Sequence, residues 1–284
     1  MGVVYRAFDP AGQRYVAIKL PLGQLSEQRL ARLQREAELA ARLRHPGVVG
    51  IHSVGQLPDG RAYLVYELIE GARNLCERWQ EVDWRARAQD VLEVAHAVAY
   101  AHAQGVIHRD LKPENVLVDD EGRVRITDFG LGAGVDLERL TRSQVTLGTP
   151  SYMAPEAFRG ATVSPSVDVW SLGVMLYQAL TGELPYQAAT LQALINAVHG
   201  PPPPVRERAP EVDPKVAAVC SEALRTDPED RPENGREFAL ELERALRGEA
   251  PSGARRVSRV AVALAVAGLS VVGSGALVAL AVAR

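Results

Sequence analysis

The 284-residue chain has only two cysteines, Cys76 and Cys220, far apart and set in helix-like sequence. That scarcity excludes a disulfide framework and a clustered thiolate metal site, and leaves two reduced thiols in a cytosolic domain as the expectation. Basic residues are not in excess either: 32 Lys and Arg face 35 Asp and Glu, for a formal net charge of −3. Non-specific nucleic-acid binding needs clustered cations that displace counterions from phosphates, so DNA and RNA are not expected partners. Internal repeats are lacking, and His45, His52, His96 and His102 show no partner pattern, so no chemistry is expected of them. What remains is ordinary globular composition, 47% hydrophobic and 24% charged, enough to bury a full core.

The opening 70 residues read as strands around one long helix. Val3–Phe8 and Tyr15–Leu20 are β-prone runs joined by Asp9-Pro10-Ala11-Gly12, which is turn chemistry. From Ser26 to Leu43 apolar residues recur at helical spacing, with Ser26 as N-cap and His45-Pro46-Gly47 as terminator. Strands are expected again at Val48–Val54 and Ala62–Leu68. After Gly71 the period becomes 3.6, predicting helices over Trp84–Ala103, Ser166–Leu180, Leu191–Val198, Pro214–Leu224 and Asn234–Leu246. Pro201 to Pro204 form a stiff connector. A strand-rich part thus precedes a helix-rich one, an α+β arrangement.

The strongest chemical signal is His108-Arg109-Asp110-Leu111-Lys112-Pro113-Glu114-Asn115, followed by Asp128-Phe129-Gly130. Phosphoryl transfer from ATP needs a carboxylate to receive the acceptor hydroxyl's proton, a cation beside the moving phosphoryl group, and oxygen ligands for Mg2+. Asp110, Lys112, and Asn115 with Asp128 supply them in that order. A hairpin, Val116–Val118 and Arg123–Thr127, returns Asp128 towards Asp110.

These two motifs, in order, resemble those of Hanks-type (eukaryotic-like) serine/threonine protein kinases, similar to the membrane-bound bacterial members, over nearly all of Gly2 to Leu246. The resemblance implies a two-lobed kinase domain over 1–247, with a small β-rich lobe at 1–69 and a mainly helical lobe at 70–247. It implies ATP with Mg2+, or Mn2+ as the alternative metal, and protein substrates with Ser or Thr acceptors, the chain itself included, through a homodimer. By resemblance Lys19 of Val16-Ala17-Ile18-Lys19 contacts ATP and pairs with Glu36, while Ala17, Tyr66, Glu67 and Ile69 line the adenine pocket, with Tyr66 as gatekeeper. Thr149 in Gly148–Glu156 is similar to the threonine that bonds the catalytic Asp and Lys. Thr141, Ser143 and Thr146 are candidate phosphorylation sites whose phosphate Arg109 would meet. Asp168 is expected to brace the catalytic loop, and Glu156 to pair with Arg231.

The family's glycine-rich loop, G-x-G-x-x-G-x-V, is matched only by its last glycine, Gly2, and its valine, Val4. A start codon assigned too far downstream is the expectation; if the preceding DNA encodes no strand with two further glycines in frame, the loop is truly short. The alternative to an active kinase is a membrane-tethered pseudokinase or signalling scaffold with impaired ATP binding. Val260 to Ala283 run without charge, and at 1.5 Å per residue a helix there reaches roughly 36 Å, enough for a bilayer core of about 30 Å. Residues 248–259 read as a linker, and its Arg255, Arg256 and Arg259 predict a single-pass protein of the cell membrane with its kinase domain cytoplasmic.

Overall fold

The computed structural model describes residues 2–21, 26–129, 149–159 and 163–249, all within one compact unit, residues 1–251. Strands β1 (Gly2–Asp9) and β2 (Arg14–Pro21) form a hairpin. Its turn is fixed by Asp9, whose Oδ1 accepts from the amides of Ala11 and Gly12 at 3.1 Å each, the local hydrogen bonding that suits aspartate to turns. Helix α1 (Glu27–Ala40) starts where Ser26 Oγ accepts from the Arg29 amide and buries Ala37 and Ala40. Strands β3 (Ile51–Gln56) and β4 (Ala62–Glu67) complete an antiparallel sheet in the order β1-β2-β4-β3. The strand expected from Val48 begins later, at Ile51, because Val48 and Val49 are engaged by Ile126 of a second sheet instead.

That second sheet consists of β5 (Arg73–Asn74), β6 (Val116–Val118) and β7 (Val124–Ile126). Between β5 and β6 run α2 (Leu75–Arg78) and α3 (Trp84–Ala103), the latter capped by the Asp83 carboxylate on the Ala86 amide. Then follow α4 (Ser166–Thr181), α5 (Leu191–Ala197), α6 (Val205–Arg208), α7 (Pro214–Ala223) and α8 (Gly235–Leu246).

Helix α4 is apolar nearly all round, and such a helix belongs in the interior: Val169, Trp170, Leu172, Val174, Met175 and Leu176 are fully buried. Each such side chain stabilises the fold by about 1.5–3 kcal/mol relative to exposure. It ends at Gly182, whose left-handed φ of 78° lets its amide reach back to Gln178. Helix α3 packs on both α4 and α8. At Gly235, the first residue of α8, an added Cβ would lie 2.9 Å from the Ala99 nitrogen of α3. Among the described residues no helix is long and apolar enough to cross a membrane. The run expected to span one, 260–283, lies outside them, as do Gly130, Thr141, Ser143, Thr146 and the side chain of Thr149.

Candidate active site

Side chains alternate between the faces of a strand, and directly opposed residues of neighbouring strands share a face. Val4 lies opposite Lys19, and Ala17 lies between Arg6 and Tyr66. Val4, Ala17, Lys19 and Tyr66 therefore line one face of the first sheet. That face meets Asp128: Lys19 Nζ pairs with its Oδ2, and the Tyr66 hydroxyl donates to its Oδ1 at 2.8 Å. Gly2, opposite Pro21 at the strand end, has no room for a side chain, since a Cβ would meet the Leu20 carbonyl oxygen at 2.2 Å. Glu67 closes the end of β4 with a two-pronged contact from Arg125, at 3.0 and 2.9 Å, and its amide donates to the Gly50 carbonyl. Ile69 packs partly buried against the core beyond it.

Glu36 corrects one expectation: it does not pair with Lys19. Its Oε1 accepts from Arg109 Nη1 at 3.2 Å and from Arg32 Nε at 3.1 Å, while Lys19 is held by Asp128. Arg32 stands one helical turn before Glu36 and competes locally; Arg109 approaches from the segment below.

The His108–Asn115 segment is held from behind by α4. Asp168, fully buried, accepts from the His108 amide at 2.7 Å and the Arg109 amide at 2.8 Å. These bonds sustain a left-handed φ of 69° at Arg109, a conformation that costs a non-glycine residue about 1–3 kcal/mol unless its surroundings fix it. Asp110 faces Lys112, whose Nζ donates to both carboxylate oxygens at 3.0 and 2.8 Å, and Asn115, whose Nδ2 reaches Oδ2 at 3.1 Å and the Asp110 carbonyl at 2.7 Å. The β6–β7 hairpin turns on Asp119, which accepts from the Glu121 and Arg123 amides. It brings Thr127 back, so that its amide donates to the Asn115 carbonyl and its carbonyl accepts from His108 Nε2 at 2.9 Å. Asp128 follows immediately, itself left-handed at φ 66°. Asp110 and Asp128, far apart in sequence, are thus carried on two segments bonded to each other.

Burial, then the neighbouring Asp128 charge, pushes the Tyr66 hydroxyl far above the usual phenol range, so it stays a donor. Among the described residues no three His, Cys, Asp or Glu gather as a metal cage. A cation here would take Asp128 and Asn115 with the remaining ligands from water or a bound phosphate, a hard-oxygen set that suits Mg2+. The Asn115 amide fits this role, because with Nδ2 turned to Asp110 its Oδ1 is the atom left to meet a cation.

Glu156 and Arg231 do pair, at 2.7 and 2.9 Å. The fully buried guanidinium also donates to the carbonyls of Arg225, Ser166 and Thr226 and lies 4.8 Å from the Trp170 ring. His102, of which no chemistry is expected, has a structural part to play. Its Nδ1 accepts from the Gly235 amide at 3.1 Å, so its Nε2 carries the proton and donates to Asp168 at 2.9 Å. The sequence signal was its place in the last turn of α3, shortly before His108.

Residues 1–240 match the protein kinase domain family. The chain belongs to that family. It is 35% identical over 261 residues to the serine/threonine-protein kinase PknA of Mycobacterium tuberculosis, covering 88% of this chain and 60% of that protein. Serine/threonine-protein kinase PknJ of the same organism is 37% identical over 263 residues, with 89% and 44% covered. Against serine/threonine-protein kinase pkn3 of Myxococcus xanthus the identity is 35%, with 86% and 47% covered. The kinase chain thus spans about half the length of these curated relatives. Its fold is similar to the crystal structure of a mutant M. tuberculosis PknI kinase domain, with a TM-score of 0.66 at 28% identity over 86% of this chain and 90% of that one.

Proposed function

We propose that the chain is a serine/threonine protein kinase that moves the γ-phosphate of ATP to Ser or Thr hydroxyls of proteins, its own activation segment included. The observation that carries this is the Asp110 carboxylate gripped between Lys112 and Asn115 on a segment bonded to the one bearing Asp128. Asp110 orients the acceptor hydroxyl and takes its proton, and Lys112 offsets charge on the phosphoryl group. Asn115 and Asp128 hold Mg2+, which when bound neutralises the phosphate oxygens. Val4, Ala17, Tyr66, Glu67 and Ile69 frame the adenine, with Gly2 near the phosphates, and Thr149 contacts the acceptor side. A phosphate on Thr141, Ser143 or Thr146 competes with Glu36 for Arg109.

A second reading, a tethered scaffold without transfer, draws support from Lys19 and Glu36 being engaged by Asp128 and Arg109 instead of each other. For either, the uncharged run 260–283 supports a membrane anchor, with the preceding arginines on the cytoplasmic side. Incubation of the detergent-solubilised chain with radiolabelled ATP and Mg2+ separates the readings. Label on Ser and Thr, absent in Asp110→Asn, is expected; no label on the parent chain, or equal label on both, refutes the transfer reading.

A further inference from the structure

Tyr66 stands at the back of the sheet face that meets Asp128, on β4, which has strands on both sides of it. Two donors hold the Asp128 carboxylate, one on each oxygen: Tyr66 on Oδ1 and Lys19 on Oδ2. They differ in kind. Tyr66 is 4% exposed, and its hydroxyl is fixed by a short side chain with few rotatable bonds on a central strand. Lys19 is a flexible four-carbon arm with a movable charge, and its side chain is 27% exposed.

We infer that Tyr66 is a positioning residue for the metal ligand Asp128: its hydroxyl anchors Oδ1 while Lys19 yields Oδ2 to the incoming cation. This rests on the kinase reading above and adds to it a role for the gatekeeper beyond framing adenine. The physical case has three parts. A carboxylate offers about four lone-pair directions, so one bond from Tyr66 leaves room for a cation. The left-handed backbone at Asp128, φ 66°, needs its surroundings to hold it, and the Tyr66 bond is the described contact that comes from a rigid partner. Finally, a hydrogen bond to a metal-ligating group fixes its orientation, and removing such a partner commonly lowers metal affinity by roughly 10–100-fold.

The test uses the detergent-solubilised chain and its Tyr66→Phe variant, which keeps the ring and deletes only the hydroxyl. Binding of a fluorescent ADP analogue is titrated against Mg2+, and Mn2+ binding in the presence of ADP is followed by electron paramagnetic resonance. The expected result is a rise of about tenfold or more in the Mg2+ and Mn2+ concentrations needed for half-saturation, with thermal melting close to the parent's. Unchanged metal dependence overturns the inference. So does a lower metal requirement in Tyr66→Phe, which would make the hydroxyl a competitor of the cation. A large loss of melting temperature also overturns it, since the hydroxyl would then be serving the fold alone. If the parent chain binds neither metal nor nucleotide, the kinase reading itself fails and this inference with it; binding by the parent with no difference in the variant refutes only the role of Tyr66.

Discussion

Replacing Asp168 by Asn tests the brace behind the catalytic loop. The carboxylate takes three donors: the His108 amide and His102 Nε2 on Oδ2, and the Arg109 amide on Oδ1. An asparagine has one acceptor oxygen. Turned towards the first two donors, it points its own NH2 at the Arg109 amide; turned the other way, it loses two bonds. His102 cannot relieve the clash by moving its proton, because the Gly235 amide already donates to Nδ1. At best one charge-assisted bond, about 1.5–3 kcal/mol, is lost, and two buried donors are left facing each other. The expected destabilisation is therefore about 3 kcal/mol or more, against a total stability of about 5–15 kcal/mol for such domains. Burial alone would raise the Asp168 carboxyl, but the hydrogen bonds from His102 Nε2 and the His108 amide outweigh it and hold it below its ordinary value. A depressed carboxyl stabilises above its unfolded pKa and loses that contribution as pH falls through the folded one. The gap between parent and variant should accordingly be full from about pH 5 to 8 and shrink below about pH 4. Urea unfolding of the chain, followed by tryptophan fluorescence at several pH values, measures this. A loss under about 1 kcal/mol at pH 7, or a gap that persists undiminished below pH 4, would refute the reasoning.

Arg231→Met leaves Glu156 and three backbone carbonyls without their buried donor. A loss of about 3–5 kcal/mol in the same unfolding measurement is expected, while a near-neutral substitution would mean that the guanidinium's desolvation cancels the bonds it makes. Cys76 has its thiol pushed up to about 11, by burial first and then by Glu114 and Glu77, and Cys220 is raised further by burial alone. Alkylation by iodoacetamide at pH 8 should thus be roughly 100-fold slower at Cys76 than for an exposed thiol, the thiolate fraction falling tenfold per pKa unit, and should become fast for both in denaturant; rapid labelling of the folded chain counts against the burial described.

The elements with strong local signals were legible. Trp84–Ala103 has an apolar period and an Asp83 cap, and its helix spans that range; the Asp9 turn and the β6–β7 hairpin follow from side chains that bond their own neighbours. The pairing of Glu156 with Arg231 follows from the resemblance, and Arg231 is also tied to the start of α4 through the Ser166 carbonyl. Lys19 and Glu36 are another matter. Their residue types fit an ion pair, but which partner each takes depends on how α1 sits over the sheet, and Arg32, Arg109 and Asp128 offer closer charges. His102 was missed because its two partners come from α4 and from the start of α8, which no local pattern connects. The Tyr66 hydroxyl bond is likewise a product of tertiary placement: an aromatic in a buried strand announces packing, not the carboxylate at its tip.

The two ring nitrogens of His102 grip the first residue of α8 on one side and the Asp168 carboxylate on the other. Helix α8 is the last described element, and its opening residue is therefore mechanically in series with the strained backbone at Arg109 through just two side chains. A tug that shifts the start of α8 by a fraction of an ångström would reach the catalytic loop without passing through the first sheet, making the far end of this domain an input to its centre.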